Sequence, residues 1–205
     1  MPKLTAIRKL ALDGIVKEAI FQATVATLSE HGVKGLTMER VASEAGVAKG
    51  SLYRYFTSKR ELIEFVHARL IDPLFEQTQE IVISAQSAME KLSGHLHMLL
   101  EHVGKYAQIH KLLFEDEVAG LLQSSQRRTL EAACRQLAKI FRQGIDERVF
   151  RPGDPLMLAN MYVGLSRGAL EQHLELAGPD QRENVHDLIM NTFLNGIRVE
   201  KDSLR

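Results

Sequence analysis

Apolar residues recur at spacings of three and four along nearly the whole chain, and no stretch of useful length alternates between apolar and polar. That period gives each segment one buried helical stripe, whereas a half-buried strand needs a period of two. Val16, Ala19, Ile20, Ala23 and Ala26 make the first stripe, on a helix predicted from Asp13 to His31 and ended by Gly32 as a left-handed cap. Five prolines and fourteen glycines in 205 residues are too few for the regular turns of a β-sandwich. With 45% hydrophobic and 25% charged residues the chain can bury a core, which excludes a disordered polypeptide. The expected fold is all-α, with about nine helices.

The second and third helices are predicted to be short. One begins after Thr37, whose hydroxyl can accept from an otherwise unpaired backbone N–H, and carries Glu39 in its first turn, where the helix dipole favours an anion. Its stripe is Met38, Val41, Ala42 and Ala45, and it stops at Gly46. The next segment, Val47 to Phe56, is as short. Helices of that length are marginal alone, so they must lean on neighbours. Two of them joined by a glycine-containing turn, behind a longer helix, describe a helix-turn-helix unit.

Ser58 with Glu61 three residues on forms a capping box that opens a fourth helix. Pro73 predicts a kink or break in it near Ile71 and Asp72. Further helices are predicted over 75–90, 92–114, 118–148, 155–177 and 181–199. The last two are signed by Asp154 before Pro155, and by Asp180 with Glu183 as capping-box partner.

Net charge is zero, but unevenly spread. Residues 1–70 hold 11 Lys/Arg against 7 Asp/Glu, and residues 71–205 hold 15 against 19, so the amino-terminal part is the basic one. The single Cys134 excludes an internal disulfide framework and reads as a small buried hydrophobe. The longest uncharged stretch, Pro155 to Ser166, is well short of the ~20 residues of a membrane-spanning helix. Arg8, Lys9, Asp13, Lys17 and Glu18 break up any apolar segment of the signal-peptide kind. A cytoplasmic protein without membrane attachment is the expectation.

The segment Ala45 to Phe56, AGVAKGSLYRYF, places Lys49, Ser51, Tyr53, Arg54 and Tyr55 within two turns, with Leu52 and Phe56 on an apolar stripe. Hydroxyls and cations can meet phosphate oxygens and base edges, and Gly50 lets the backbone come close to a duplex. Thr37 and Lys59, at the starts of flanking helices, are placed to grip the sugar-phosphate backbone. From periodicity alone, Tyr53 and Tyr55 could equally be half-buried packing residues and Arg54 a solvated charge.

The run from Gly35 to Leu62, GLTMERVASEAGVAKGSLYRYFTSKREL, resembles the DNA-binding region of TetR/AcrR-family transcriptional regulators. The resemblance implies a helix-turn-helix DNA-binding domain over 1–58 and a helical ligand-binding and dimerisation domain over 59–205. It implies Thr37, Lys49, Gly50, Ser51, Tyr53, Arg54, Tyr55 and Lys59 as DNA contacts, a double-stranded palindromic operator as partner, and a homodimer through the last two helices. It further implies a repressor released by a small-molecule effector, with no cofactor and no catalysis. A ligand-independent DNA binder of the same fold, architectural or serving a cell process, is the alternative. An enzyme is disfavoured: the chain has no phosphate-binding glycine loop, zinc-protease histidine pair or nucleophile elbow. One departure stands out, Ala48 where many relatives have serine, because alanine cannot cap the third helix with a side-chain oxygen.

For the second domain the residues speak alone. Val185, Leu188, Ile189, Thr192, Phe193 and Ile197 form one apolar stripe, and Leu158, Met161, Tyr162, Leu165, Ala169 and Leu170 another, with Gly164 and Gly168 four apart. Two helical glycines point to a close helix crossing or a ligand approach. Candidate ligand contacts are Met98, Tyr106, Phe114, Phe141, Met161, Tyr162, Arg167 and His173, each of which could also be core or a solvated group. His95, His97, His102 and His110 crowd one region, but without a cysteine or an i, i+4 pair they read as packed or solvated histidines before a metal site.

Overall fold

The computed structural model describes residues 4–114, 116–172 and 179–197, and these form nine helices and no strand beyond an isolated bridge at Phe150. They are α1 (Leu4–Gly35), α2 (Met38–Glu44), α3 (Lys49–Tyr55), α4 (Lys59–Ile83), α5 (Ala88–Lys105), α6 (Ala107–Phe114), α7 (Asp116–Asp146), α8 (Pro155–Gln172) and α9 (Pro179–Ile197). The all-α expectation holds. The chain divides into two compact units, one of residues 1–70 and 112–123, the other of 71–111 and 124–205.

In the first unit α1 bends out of helical geometry at Gly32, whose φ of 61° lies where glycine alone is comfortable. Thr37 caps α2 as expected, its Oγ1 accepting from the Arg40 N–H at 3.2 Å. Ile20, Leu28, Leu36, Val41, Leu52, Leu62, Ile63 and Val66 are buried, and the Phe65 ring packs on Phe56 at 4.8 Å and edge-on to Phe21 at 6.3 Å. At the head of α4, Ser58 Oγ accepts from the Glu61 N–H at 3.3 Å, while the Glu61 carboxylate reaches back to the N–H and hydroxyl of Thr57 at 2.6 and 2.8 Å. The reciprocal arm of the cap thus falls one residue earlier than the capping-box pattern places it.

Four expectations are corrected. Pro73 does not break α4, which runs unbroken from Lys59 to Ile83; a proline removes one N–H, and a 25-residue helix keeps its remaining bonds. The helix predicted over 75–90 is therefore the end of α4, and the chain restarts at α5, where Ser87 and Glu90 form a complete capping box. The segment 92–114 is divided at Tyr106, whose non-helical φ of −116° ends α5. Asp180 lies inside α9, since the helix already begins at Pro179.

In the second unit one apolar cluster joins α5, α7, α8 and α9. Its centre is aromatic: Tyr162 stands 5.5 Å from Phe193 and 6.0 Å from Phe141, and Phe141 stands 5.8 Å from Phe150. A Cβ at Gly144 would collide with the Phe150 ring, so this glycine lets the chain fold back on the end of α7. Cys134 is buried in the same cluster. The two apolar stripes divide: Val185, Ile189, Phe193, Ile197, Tyr162 and Leu170 are buried within the subunit, whereas Met161, Leu188 and Thr192 are exposed.

His95 sits in this core with its Nδ1 3.0 Å from the Tyr162 hydroxyl. Burial pushes its imidazolium form down to a pKa of about 4, and pushes the Tyr162 phenol up. The folded chain therefore keeps His95 neutral where the unfolded chain, titrating near 6.5, takes a proton. Stability from this residue is complete above about pH 6.5 and declines as pH falls toward 4, by on the order of 3 kcal/mol in all. We expect thermal unfolding to show this fall in the parent, and to show a shallower one in His95→Gln; equal slopes would refute the assignment.

Candidate nucleic-acid interface

The short pair α2 and α3 is held by its inner faces. Val41 and Ala42 of α2 and Leu52 of α3 are buried, with Phe56 at the end of α3, and each large side chain contributes about 1.5–3 kcal/mol on leaving water. Gly46, with φ of 65°, makes the turn, and the Val47 N–H donates back to the Ala42 carbonyl at 3.0 Å. Ala48 stands at the α3 N-cap and makes no side-chain bond there.

With Leu52 pointing inward, the opposite face of α3 is turned outward. Lys49, Gly50, Tyr53 and Arg54 are exposed, Tyr53 to 41%, and Ser51 is half-buried. A Cβ at Gly50 would meet nothing within 4 Å, so no contact among the described residues requires a glycine there. The Arg54 guanidinium donates to Ser51 Oγ at 3.3 Å. Lys49 forms an ion pair with Glu39 of α2, and its ammonium lies 5.9 Å from the Tyr53 ring centre. The hydrogen bond from Lys49 holds the Glu39 carboxyl below the usual carboxylate range and the lysine above its own. Thr37 is exposed, its hydroxyl engaged in the α2 cap.

Two residues of the sequence-derived set have other partners. The Tyr55 hydroxyl donates to Asp13 Oδ1 of α1 at 2.5 Å, a bond that raises its pKa. The Lys59 ammonium donates to the Val33 carbonyl near the end of α1. The first bond ties the end of α3 to the long α1, and the second ties the head of α4 to it. Asp13 and Glu39 carried no signal of these roles beyond their charge, because both bonds span helices whose mutual placement the residue order does not print.

Residues 20–66 match the model of the bacterial regulatory proteins, tetR family. The repressor KstR2 of Mycolicibacterium smegmatis is 26% identical over 186 residues, spanning 88% of this chain and 90% of that protein. The regulator BetI of Agrobacterium fabrum is 26% identical over 204 residues, 96% and 98% of the two chains. Among solved structures, the complex of Stenotrophomonas maltophilia SmeT with triclosan superposes with a TM-score of 0.78 at 18% identity, covering 91% and 93%. The chain thus carries a tetR-family DNA-binding segment over residues 20–66. It is a DNA-binding transcriptional regulator, and the exposed face of α3 lies within the matched segment.

Of the ligand candidates, two pack against each other and the others with described side chains are spread over α5, its C-cap and α8. Phe141 and Tyr162 are core residues, and Met98 and Tyr106 are half-buried on α5 and at its C-cap. Met161 and Arg167 are exposed on α8, where Arg167 bonds Glu171 at 2.6 Å. The Phe114 side chain and the whole of His173 lie outside the described residues. Nor do the four histidines gather: His95 faces Tyr162, His97 stands 6.4 Å from His186, and His102 stands 5.8 Å from His110. A group that residue order did not single out, Glu183, His186 and Asp187, has its ligand atoms within 4.8 Å of one another.

If Tyr55 braces α3, Tyr55→Phe should lower the melting temperature, whereas Tyr53→Phe should leave it unchanged. Differential scanning calorimetry decides; equal melting temperatures for the two variants would remove the bracing role.

Proposed function

We propose that this chain is a repressor that binds a palindromic operator as a homodimer and is released by a small molecule. The observation that carries the DNA-facing part is the outward face of α3, where Lys49, Gly50, Ser51, Tyr53 and Arg54 come together over a buried Leu52. Serine, tyrosine and arginine can reach base edges, lysine can neutralise phosphate, and the open space at Gly50 admits the duplex backbone. Thr37, exposed at the head of α2, would add a phosphate contact, while Tyr55 and Lys59 act by bracing α3 and the head of α4 against α1.

The homodimer part rests on α8 and α9. Met157, Met161, Gly164 and Gly168 fall on one side of α8, all exposed, and Leu188 on α9 is 62% exposed. A Cβ at Gly164 or Gly168 would meet nothing within 4 Å among the described residues, so no close crossing within them calls for either glycine. Each costs about 1 kcal/mol relative to alanine, and a second copy packing closely would offset that cost. A two-fold dimer presents its two readers to successive major grooves about 34 Å apart, which is why the operator would be palindromic.

The effector part rests on relatives: KstR2 bears the name of a repressor, and SmeT was solved with triclosan bound. An effector in the second unit would act by favouring the state that binds DNA less well, and α4, continuous from Lys59 to Ile83, is one covalent route between the units. The protein would work in the cytoplasm, where the duplex lies.

A palindromic duplex recovered by selection from genomic DNA tests this by fluorescence anisotropy. Tyr53→Ala should weaken it roughly tenfold or more without loss of the dimer; parental affinity would contradict the site. Met161→Glu, on the exposed face of α8, should shift the protein to monomer in light scattering, and a dimer unaffected by it would place the interface elsewhere. DNA binding that no small molecule relieves would favour the ligand-independent alternative.

A further inference from the structure

We propose that Glu39 is a built-in brake on Lys49, and that it sets specificity by weakening binding to duplexes of the wrong sequence. The inference rests on the DNA-facing reading of α3. Glu39 lies in the first turn of α2 and Lys49 is the first residue of α3, so the ion pair spans the turn of the helix-turn-helix motif on its outer side. Both side chains are 58% exposed, so the pair is open to anything that approaches. In the free protein the carboxylate neutralises the cation at the head of α3. The second cation of that helix, Arg54, is turned toward Ser51.

Binding to arbitrary duplex depends on cations meeting phosphates. A phosphate that draws Lys49 away leaves Glu39 beside the polyanion with no partner, and a carboxylate can only accept hydrogen bonds. In the major groove the donors are the amino groups of cytosine and adenine. A duplex that sets such an amino group before Glu39 while its phosphate takes Lys49 replaces both halves of the ion pair. Any other duplex breaks the pair and leaves the carboxylate unsatisfied, which is discrimination by exclusion.

The test uses the full chain and a short random-sequence duplex, followed by anisotropy between about 50 and 200 mM KCl. Glu39→Gln should bind that duplex about two- to fivefold more tightly per subunit, the range of an exposed ion pair, with a steeper salt dependence. In a Lys49→Ala background the same substitution should give less than half of that gain, because there is no cation left to release. An unchanged affinity for Glu39→Gln, or an equal gain in both backgrounds, overturns the brake while leaving the DNA face intact. If Lys49→Ala alone binds as the parent does, the DNA-facing reading of Lys49 fails and the brake with it. Both side chains are exposed, so Glu39→Gln should keep the parental circular dichroism spectrum and melting curve; loss of the fold would overturn the proposal by showing that the pair is structural.

Discussion

Two seven-residue helices cannot hold themselves in water, and the proposed DNA-facing surface is made of two such helices. Everything that orders α3 comes from outside it. Leu52 and Phe56 anchor it from beneath, the Gly46 turn sets its direction, and Tyr55 and Lys59 tie its end and the head of α4 to the long α1. The same inward anchoring forces the remaining positions outward. Lys49, Gly50, Tyr53 and Arg54 are exposed because Leu52 and Phe56 are buried at a spacing of four. The exposed face of α3 is the necessary other side of the packing.

The order of residues makes part of this legible. Signals that act within one turn read correctly: the Thr37 cap, Asp154 before Pro155, and the absence of a cap at Ala48. Signals whose outcome depends on competing local bonds read less well. Pro73 leaves α4 unbroken, Ser87 outcompetes helix continuation where the hydrophobic period alone runs on, and Tyr106 divides a segment whose apolar pattern does not pause. Contacts between helices are not legible at all. Nothing near Lys59 announces the Val33 carbonyl, and nothing near Glu39 announces Lys49, because each pair is joined only after the chain has folded.

In the second unit the apolar period finds the helices but cannot say which face meets which neighbour. Tyr162 and Met161 are adjacent in the chain, and one is at the centre of the aromatic core while the other is 56% exposed. Tyr162 is held by Phe141, Phe193 and a hydrogen-bonded His95, which makes it a core residue with its polar tip satisfied. Met157, Met161, Gly164 and Gly168 of α8 are likewise exposed, which the apolar period of that helix does not announce.

The central claim is that the surface built around α3 is the one that meets duplex DNA. Amide hydrogen exchange of the full chain, with and without a saturating duplex, tests it most directly. Protection gained on binding should be concentrated in residues 37–56, with α3 strongest. Protection confined to α8 and α9, or none anywhere in α2 and α3, would contradict it.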